Sequence, residues 1–307
     1  MNINADIKLI TILGPTATGK TNLAVQLASH INSEIISADS RQIYKYMDIG
    51  TGKDLEEYNI HGTCIPYHLI DIINPNEDYS VYTFQKQFHL AYTNILKKNK
   101  CPILCGGTGL YIESVLLNYE ISSTKPDYNL RYKLEELSKE ELIEMFIKID
   151  LEAYENWKCD TKQRVIRGIE IALKGDLRDD KVKYNLDLEN VIVLGVKMDR
   201  SIIRERITNR LELRLNSGMI DEVESLLSKK ILTLDRLEYF GLEYKYIGLY
   251  LKGKLSYDEL FNQLNTAIHK FAKKQMTFFR RMEKRGIDIN WIDNCNLDEI
   301  LNIINSK

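Results

Sequence analysis

The chain has 307 residues, a formal net charge of −2, 44% apolar and 28% charged residues, which suits a soluble globular protein of one large α/β domain plus an appendage, or two domains. No apolar run approaches the roughly 20 residues that a membrane helix needs, and the chain goes almost directly into its first strand, leaving no room for a signal peptide. The five cysteines form no C-x-x-C pair and no cluster with histidines, which argues against a thiolate metal site and for a reducing, cytoplasmic setting.

Near-neutrality neither requires nor excludes a nucleic acid, because the charge is unevenly placed. Residues 200–214 and 270–285 are basic, and residues 135–155 are mostly acidic.

In chain order, Ile7, Leu9, Ile10, Ile12 and Leu13 form a nearly continuous apolar run, the pattern of a buried parallel strand. Gly14-Pro15-Thr16-Ala17-Thr18-Gly19-Lys20-Thr21 follows and fits the phosphate-loop pattern of Gly, four residues, Gly-Lys-Thr. Leu23, Ala24, Leu27 and Ala28 then recur at helical spacing. A loop between a strand and a helix N-terminus gathers backbone N–H groups around an anion, at the positive end of the helix dipole. Lys20 would add a point charge to the phosphates, and Thr21 a hydroxyl to Mg²⁺. The loop leaves open whether the phosphate is transferred, hydrolysed or lost as a leaving group.

Ile35 and Ile36 predict a second strand ending at Asp39-Ser40, where open α/β sheets face their ligand crevice. Position alone equally allows Asp39 or Ser40 to cap the next turn. Residues 47–53 form a glycine-rich loop, and Tyr67 to Ile72 predicts another strand or extended piece, with His68 as a hydrogen-bonded structural residue. A helix carries Phe84, Phe88, Tyr92, Ile95 and Leu96 on one face. Pro102 to Cys105 is a short strand running into Gly106-Gly107-Thr108-Gly109, a turn that allows close backbone approach to a ligand and presents Thr108.

The octet, Asp39-Ser40-x-Gln42-x-Tyr44, Met47-Asp48-Ile49-Gly50-Thr51, His68-Leu69-Ile70-Asp71 and Gly106-Gly107-Thr108-Gly109-Leu110-Tyr111 occur in this order and spacing. Together they resemble the tRNA isopentenyl transferase (tRNA dimethylallyltransferase) family of bacterial type, and the resemblance runs from the first strand to about Arg280. It implies a P-loop NTPase-like α/β fold, a parallel sheet flanked by helices, with a small helical insertion and a helical C-terminal part. The expected division is a core of residues 1–120 and 190–307 and an insertion of residues 121–189.

The insertion opens with sparse apolar positions at Leu130, Leu134, Leu137, Leu142 and Phe146. Beyond them, Gln163-Arg164-Val165-Ile166-Arg167 is similar to a family element that meets tRNA, with both arginines on one helix face. The preceding Trp157-Lys158-Cys159-Asp160 departs from the family's His-Pro-Asn-Asp. Residues 174–190 are charged and loop-like, and Val191 to Val196 is a core strand by its β-branched content.

Asp199-Arg200 opens a helix with Ile203, Ile207, Leu211 and Leu215 on its buried side and Arg206, Arg210 and Arg214 on another. A charge stripe is ordinarily a solvated face; the resemblance implies instead that Arg210 approaches a leaving diphosphate. Where the family has Gly-Tyr-Lys or Gly-Tyr-Arg in a tRNA-contacting turn, this chain has Gly241-Leu242-Glu243-Tyr244-Lys245, which reads as an insertion of Leu242-Glu243. A final basic helix, 269–281, matches the family's Lys-Arg-Gln-x-Thr-Trp-Phe-Arg as Lys273 to Arg280, its cations placed for phosphates.

The resemblance implies transfer of a dimethylallyl group from dimethylallyl diphosphate to the exocyclic amine of the adenine on the 3′ side of the anticodon. Asp39 would take the amine proton, Thr108 would hold the amine or the diphosphate, and Arg210 would face the diphosphate. The octet would bind diphosphate with Mg²⁺ on Thr21. Asp39, Ser40, Arg41, Gln42, Thr108, Gln163 to Arg167, Lys273, Lys274 and Arg280 would meet tRNA. A cytoplasmic monomer without membrane attachment is expected. The rivals are a small-molecule or nucleotide kinase using the same loop, prenyl transfer to free adenine nucleotides, and a nucleotide-gated RNA-binding protein without turnover.

Overall fold

The computed structural model describes residue 4 and residues 6–60, 62–174 and 186–307. The first strand, β1 (Leu9–Leu13), is buried throughout. Leu9 and Leu13 join one core cluster, and Ile10 and Ile12 join another, so both faces of the strand are covered. That double burial is why the sequence there is continuously apolar rather than alternating. The helix α1 (Lys20–His30) follows the phosphate loop, and β2 (Ile35–Ser37) comes next. A small antiparallel pair, β3 (Asn59–Ile60) and β4 (Thr63–Cys64), precedes β5 (Tyr67–His68). Then come α2 (Val81–Leu96), with Ser80 accepting from the Thr83 amide as N-cap, β6 (Ile103–Gly106) and α3 (Gly109–Leu116).

The chain forms two compact units, Glu120–Lys183 and the remainder, Met1–Tyr119 with Tyr184–Lys307. The smaller unit holds α4 (Tyr128–Glu135), α5 (Lys139–Ile149), α6 (Leu151–Glu155) and α7 (Lys162–Lys174). Its core is Leu134, Leu142, Phe146, Val165, Ile166 and Ile169, so the few apolar positions of an otherwise polar stretch are the ones that pack. With a core this small, Phe146→Ala would cost roughly 3–5 kcal/mol. Of the loop expected over 174–190, residues 175–185 lie outside the described residues.

The larger unit resumes with β7 (Val191–Lys197), α8 (Arg200–Asn216), α9 (Met219–Ser228), α10 (Leu234–Phe240), α11 (Leu242–Leu251) and α12 (Tyr257–Glu283). It ends with β8 (Asn290–Asp293) and α13 (Leu297–Asn305). Six strands form one parallel sheet in the order β5-β2-β6-β1-β7-β8. β1 lies between β6 and β7, with Ile10 opposite both Ile103 and Ile192. Leaving β1, the chain crosses β6 to reach β2, which opens the crevice beyond the strand C-termini where such sheets bind ligands.

The extended piece expected over Tyr67 to Ile72 is shorter than its apolar content suggests. Only Tyr67–His68 pairs in the sheet, and Leu69 (φ 64°) and Asp71 (φ 55°) turn the backbone away. The turn lets the amides of Asp71 and Ile72 bond the carbonyls of Gln42 and Ile43, so this segment braces the strand exit that carries Asp39. His68 Nε2 lies 3.0 Å from the buried Glu34 carboxylate, a structural pairing.

Candidate active site

The octet leaves the C-terminal end of β1 and becomes the first turn of α1. Gly19 sits at φ 83°, a left-handed conformation that side chains other than glycine's resist, and it turns the loop inward ahead of Lys20. Thr18 Oγ1 (2.9 Å) and Lys20 Nζ (3.4 Å) both donate to the Pro15 carbonyl, closing the loop on itself. The first turn of α1 carries no acidic residue, so the positive end of its dipole is left for an external anion. Burial lowers the Lys20 amine below its ordinary value, with Arg210 acting the same way and Cys105 and Asp39 opposing.

Across the crevice, the exit of β2 is tied to β6 and the turn beyond it. The Ala38 amide donates to the Cys105 carbonyl (2.7 Å), and the Thr108 amide donates to the Ala38 carbonyl (3.1 Å). Thr108 Oγ1 accepts from the Ser40 amide at 3.0 Å. The approach requires glycine, since a Cβ on Gly106 would lie 2.3 Å from the Ala38 carbonyl oxygen. Asp39 Oδ1 accepts from the Arg41 amide at 2.8 Å. The carboxylate therefore does make a local cap, and it also lines the cavity. Gln42 accepts from Ser37 Oγ (3.1 Å) and donates to the Gly52 carbonyl (2.9 Å).

The stripe on α8 is turned toward the crevice. Arg206, Arg210 and Arg214 all line the same cavity. Arg210 Nη2 donates to the Thr16 hydroxyl, and Arg214 Nη2 pairs with Asp54 at 2.7 Å. Burial, then the Arg214 charge, lowers Arg210 to about 10, so it stays cationic at neutral pH. Glu222 of α9 holds the glycine-rich loop by accepting from the amides of Asp48 (2.8 Å) and Ile49 (2.7 Å), and it also accepts from the Tyr244 hydroxyl at 2.7 Å. Gly241 (φ 68°, ψ −167°) breaks the chain between α10 and α11 and brings Leu242, Glu243 and Lys245 into the cavity lining. Burial raises the Glu243 carboxyl, with its own backbone amide, Arg214 and Arg210 pulling it back.

The cavity so enclosed measures about 700 Å³, within the range of small-ligand sites. It gathers Thr16, Ala17, Gly19, Lys20 and Thr21 of the loop with Asp39, Ser40, Arg41, Gln42, Thr108, Arg210 and Lys274. Gly14, Pro15 and Thr18 support the loop from behind. Lys273 and Arg280 are exposed on α12 and do not line the cavity. Gln163 and Arg164 are exposed on α7, with Arg164 paired to Asp160 at 2.6 Å. Arg167 is held by Glu170 (3.0 Å) and the Thr124 carbonyl (2.6 Å). Val165 and Ile166 need a correction as RNA contacts: their side chains point into the core of the smaller unit, 0% and 2% exposed.

Three features escaped the sequence. β8 and α13 complete the sheet edge, and after β8 Cys295 Sγ donates to the Thr18 carbonyl at 2.9 Å, behind the phosphate loop. Short apolar runs such as Ile289 to Ile292 give too little periodicity to separate strand from loop. Gln275 was visible only as a motif letter, yet it bonds the phosphate loop and the glycine turn at once. Among the described residues, no group of three or more His, Cys, Asp or Glu side chains is arranged to hold a metal ion. The Thr21 position on the cavity wall suits Mg²⁺, which keeps several waters and binds largely through substrate phosphates. No helix among the described residues is long and apolar enough to cross a membrane.

A phosphate loop on the central strand, facing a carboxylate and three arginines across one cavity, defines a P-loop-type transferase site. The family model described as IPP transferase matches residues 42–282, and one described as isopentenyl transferase matches residues 7–67. The tRNA dimethylallyltransferase 1 of Azobacteroides pseudotrichonymphae genomovar. CFP2 is 48% identical over 304 residues, covering 98% of this chain and 97% of that protein. The tRNA dimethylallyltransferase 2 of Bacteroides fragilis (strain ATCC 25285) is 48% identical over 303 residues, covering 98% of each. The crystal structure of the full-length tRNA isopentenylpyrophosphate transferase of Bacillus halodurans superposes with a TM-score of 0.69 at 33% identity, covering 98% of this chain and 95% of that one. A eukaryotic dimethylallyltransferase acting on tRNA shares the fold, with a TM-score of 0.75 at 23% identity over 94% of this chain and 74% of that one. The chain belongs to the IPP transferase family, whose members include the tRNA dimethylallyltransferases.

Proposed function

We propose that this chain transfers the dimethylallyl group of dimethylallyl diphosphate to the exocyclic amine of the adenine 3′-adjacent to the anticodon in tRNA, releasing diphosphate. The observation that carries the reading is the placement of Asp39 and Thr108 in the same cavity as Lys20 and Arg210. A carboxylate with no phosphate duty stands opposite an anion-binding loop, as a reaction that deprotonates an amine while expelling a diphosphate requires.

In the step, the allylic C–O bond breaks as the bond from the adenine nitrogen to that carbon forms, and one amine proton passes to Asp39. The adenine amine is a weak nucleophile because its lone pair is delocalised into the ring, and a carboxylate accepting its N–H keeps electron density on nitrogen. Backbone amides of the loop, Lys20 and Arg210 take the charge that develops on the departing diphosphate. Thr108, fixed by the Ser40 amide, holds the acceptor amine beside Asp39. When bound, Mg²⁺ would be held by the Thr21 hydroxyl together with diphosphate oxygens, and would supply further neutralisation of the leaving group.

The acceptor base must leave the anticodon stack to enter such a cavity, and its unstacking is the step that Ser40, Arg41 and Gln42 at the mouth would support. Lys273, Lys274 and Arg280 on α12, with Gln163 and Arg164 on α7, supply phosphate and sugar contacts. The enzyme acts as a cytoplasmic monomer.

The test is incubation with labelled dimethylallyl diphosphate, Mg²⁺ and unmodified tRNA, then with AMP, then with ATP and phosphate acceptors. Label in tRNA alone is expected. Label in AMP but not tRNA, or phosphate transfer from ATP, would overturn the reading.

A further inference from the structure

The buried side of α12 is Leu260, Leu264, Ile268, Ala272, Gln275, Phe279 and Met282. Gln275 is the one polar member, 7% exposed. A buried amide destabilises the fold unless its groups are bonded. Here both ends are used, and on different loops. Gln275 Oε1 accepts from the Thr16 amide of the phosphate loop at 2.9 Å. Gln275 Nε2 donates to the Gly107 carbonyl at 2.9 Å, on the turn that presents Thr108. The site is shaped for this contact, since a Cβ on Gly107 would lie 2.4 Å from that Nε2.

The helix that carries Gln275 is also held against α3, just past the turn. Phe278 covers Gly109 so closely that a Cβ there would lie 2.4 Å from its ring. Arg281 and Arg285 pair with the buried Glu113 of α3 at 2.7 and 3.3 Å. Lys274, next to Gln275, faces the cavity, and Lys273 is exposed. Displacement of α12 would therefore be felt at both loops, through Gln275 at Thr16 and Gly107.

We propose that Gln275 is a positioning residue that fixes the phosphate loop against the Thr108 turn, and that it couples RNA binding on α12 to diphosphate binding in the loop. The inference rests on the proposed prenyl transfer. It assigns Gln275 no contact with the reacting atoms: its role is to set their spacing, where a displacement of about 1 Å can cost on the order of 100-fold in rate. Coupling of this kind is reciprocal, so each ligand tightens the other by the same factor.

The experiment compares wild type with Gln275→Met and Gln275→Glu. Met keeps the volume and removes both bonds. Single-turnover transfer to tRNA at saturating dimethylallyl diphosphate should slow by roughly 10- to 100-fold in Gln275→Met. Inorganic pyrophosphate affinity, titrated without and with an anticodon stem-loop, should rise about fivefold or more with RNA in wild type and not at all in Gln275→Met.

Gln275→Glu separates geometry from misfolding. A protonated carboxyl can donate to Gly107 and accept from Thr16 as the amide does, whereas a carboxylate faces the Gly107 carbonyl. The charged groups around it are Arg210 on the Thr16 hydroxyl, with Lys20, Asp39 and Lys274 on the same cavity. The rate of Gln275→Glu relative to wild type should therefore rise as pH falls. Gln275→Met at the wild-type rate with coupling intact, or a Gln275→Glu ratio flat with pH, overturns the proposal. A wild type that prenylates no tRNA overturns the functional reading instead.

Discussion

The guanidinium of Arg210 on α8 donates to the hydroxyl of Thr16 in the phosphate loop, joining two positions 194 residues apart in sequence. Thr16 is thereby occupied twice, by Arg210 at its hydroxyl and by Gln275 at its amide. Arg210→Ala should lower kcat/KM for dimethylallyl diphosphate by about 10²–10³-fold, the usual loss on removing one preorganised donor to a developing oxyanion. Arg210→Lys should fall between, keeping the charge without the planar fork. Steady-state kinetics with tRNA held saturating checks it, and a loss under threefold for the alanine variant would remove Arg210 from the diphosphate site.

Asp39→Asn preserves an oxygen for the Arg41 amide, so the turn at the end of β2 should survive. Transfer should drop by about 10²–10⁴-fold through loss of the base, while pyrophosphate affinity by calorimetry stays near that of wild type. Lost pyrophosphate binding with turnover retained would refute the assigned role.

Gly106→Ala places a methyl group 2.3 Å from the Ala38 carbonyl oxygen, one residue before Asp39. Backbone cannot yield there without separating β6 from β2, so stability should fall by about 1–3 kcal/mol and transfer should fall with it. Urea midpoints and single-turnover rates measured on one preparation test the link. A stable variant with full activity would show that this close approach does not set the position of Asp39.

Glu170 stands in the core of the smaller unit between Arg131 (2.6 Å) and Arg167 (3.0 Å). Burial would raise its carboxyl, but hydrogen bonds from Arg131, the Asp127 amide and Arg167 outweigh burial and bring it to about 2, against an ordinary 4.5. Because the folded value is depressed, the stabilisation is full above about pH 4.5 and disappears as pH falls toward 2. Glu170→Gln should cost about 3–5 kcal/mol at pH 7 by leaving two guanidinium groups half-paired. Hydrogen exchange of α7 amides at pH 7 and pH 3 should show the gap between variant and wild type narrowing in acid. An equal gap at both would mean that Glu170 is not ionised in the fold.

The strand–loop–helix setting of Gly14 to Thr21 and the strand exits that carry Asp39 and Thr108 were legible because short-range pattern records them, whereas Arg210 stood out from its stripe only through the family resemblance. The stripe at Arg206, Arg210 and Arg214 was legible as a face but not as a direction, since spacing says which side chains align and not what they face. Gln275 and Cys295 act through contacts with residues 168 to 277 positions away, and no local periodicity encodes them. Val165 and Ile166 misled for the opposite reason. A family segment marks a stretch of chain, but a helix divides that stretch between surface and core, and these two fell to the core.

The register of β1 has a consequence for synthesis. Ile10 to Leu13 pair with Ile103 to Gly106 on one edge, but Leu9 to Leu13 pair with Val191 to Gly195 on the other. One of the two edges of the phosphate-loop strand thus awaits a segment made some 180 residues later. During translation the loop's strand has an open edge and an uncovered face for most of the time the ribosome takes to build the chain. Such long-range parallel pairing is slow to form and exposed to misassociation. A chain released before Val191 should therefore bind no pyrophosphate, although every residue of Gly14 to Thr21 is already present in it.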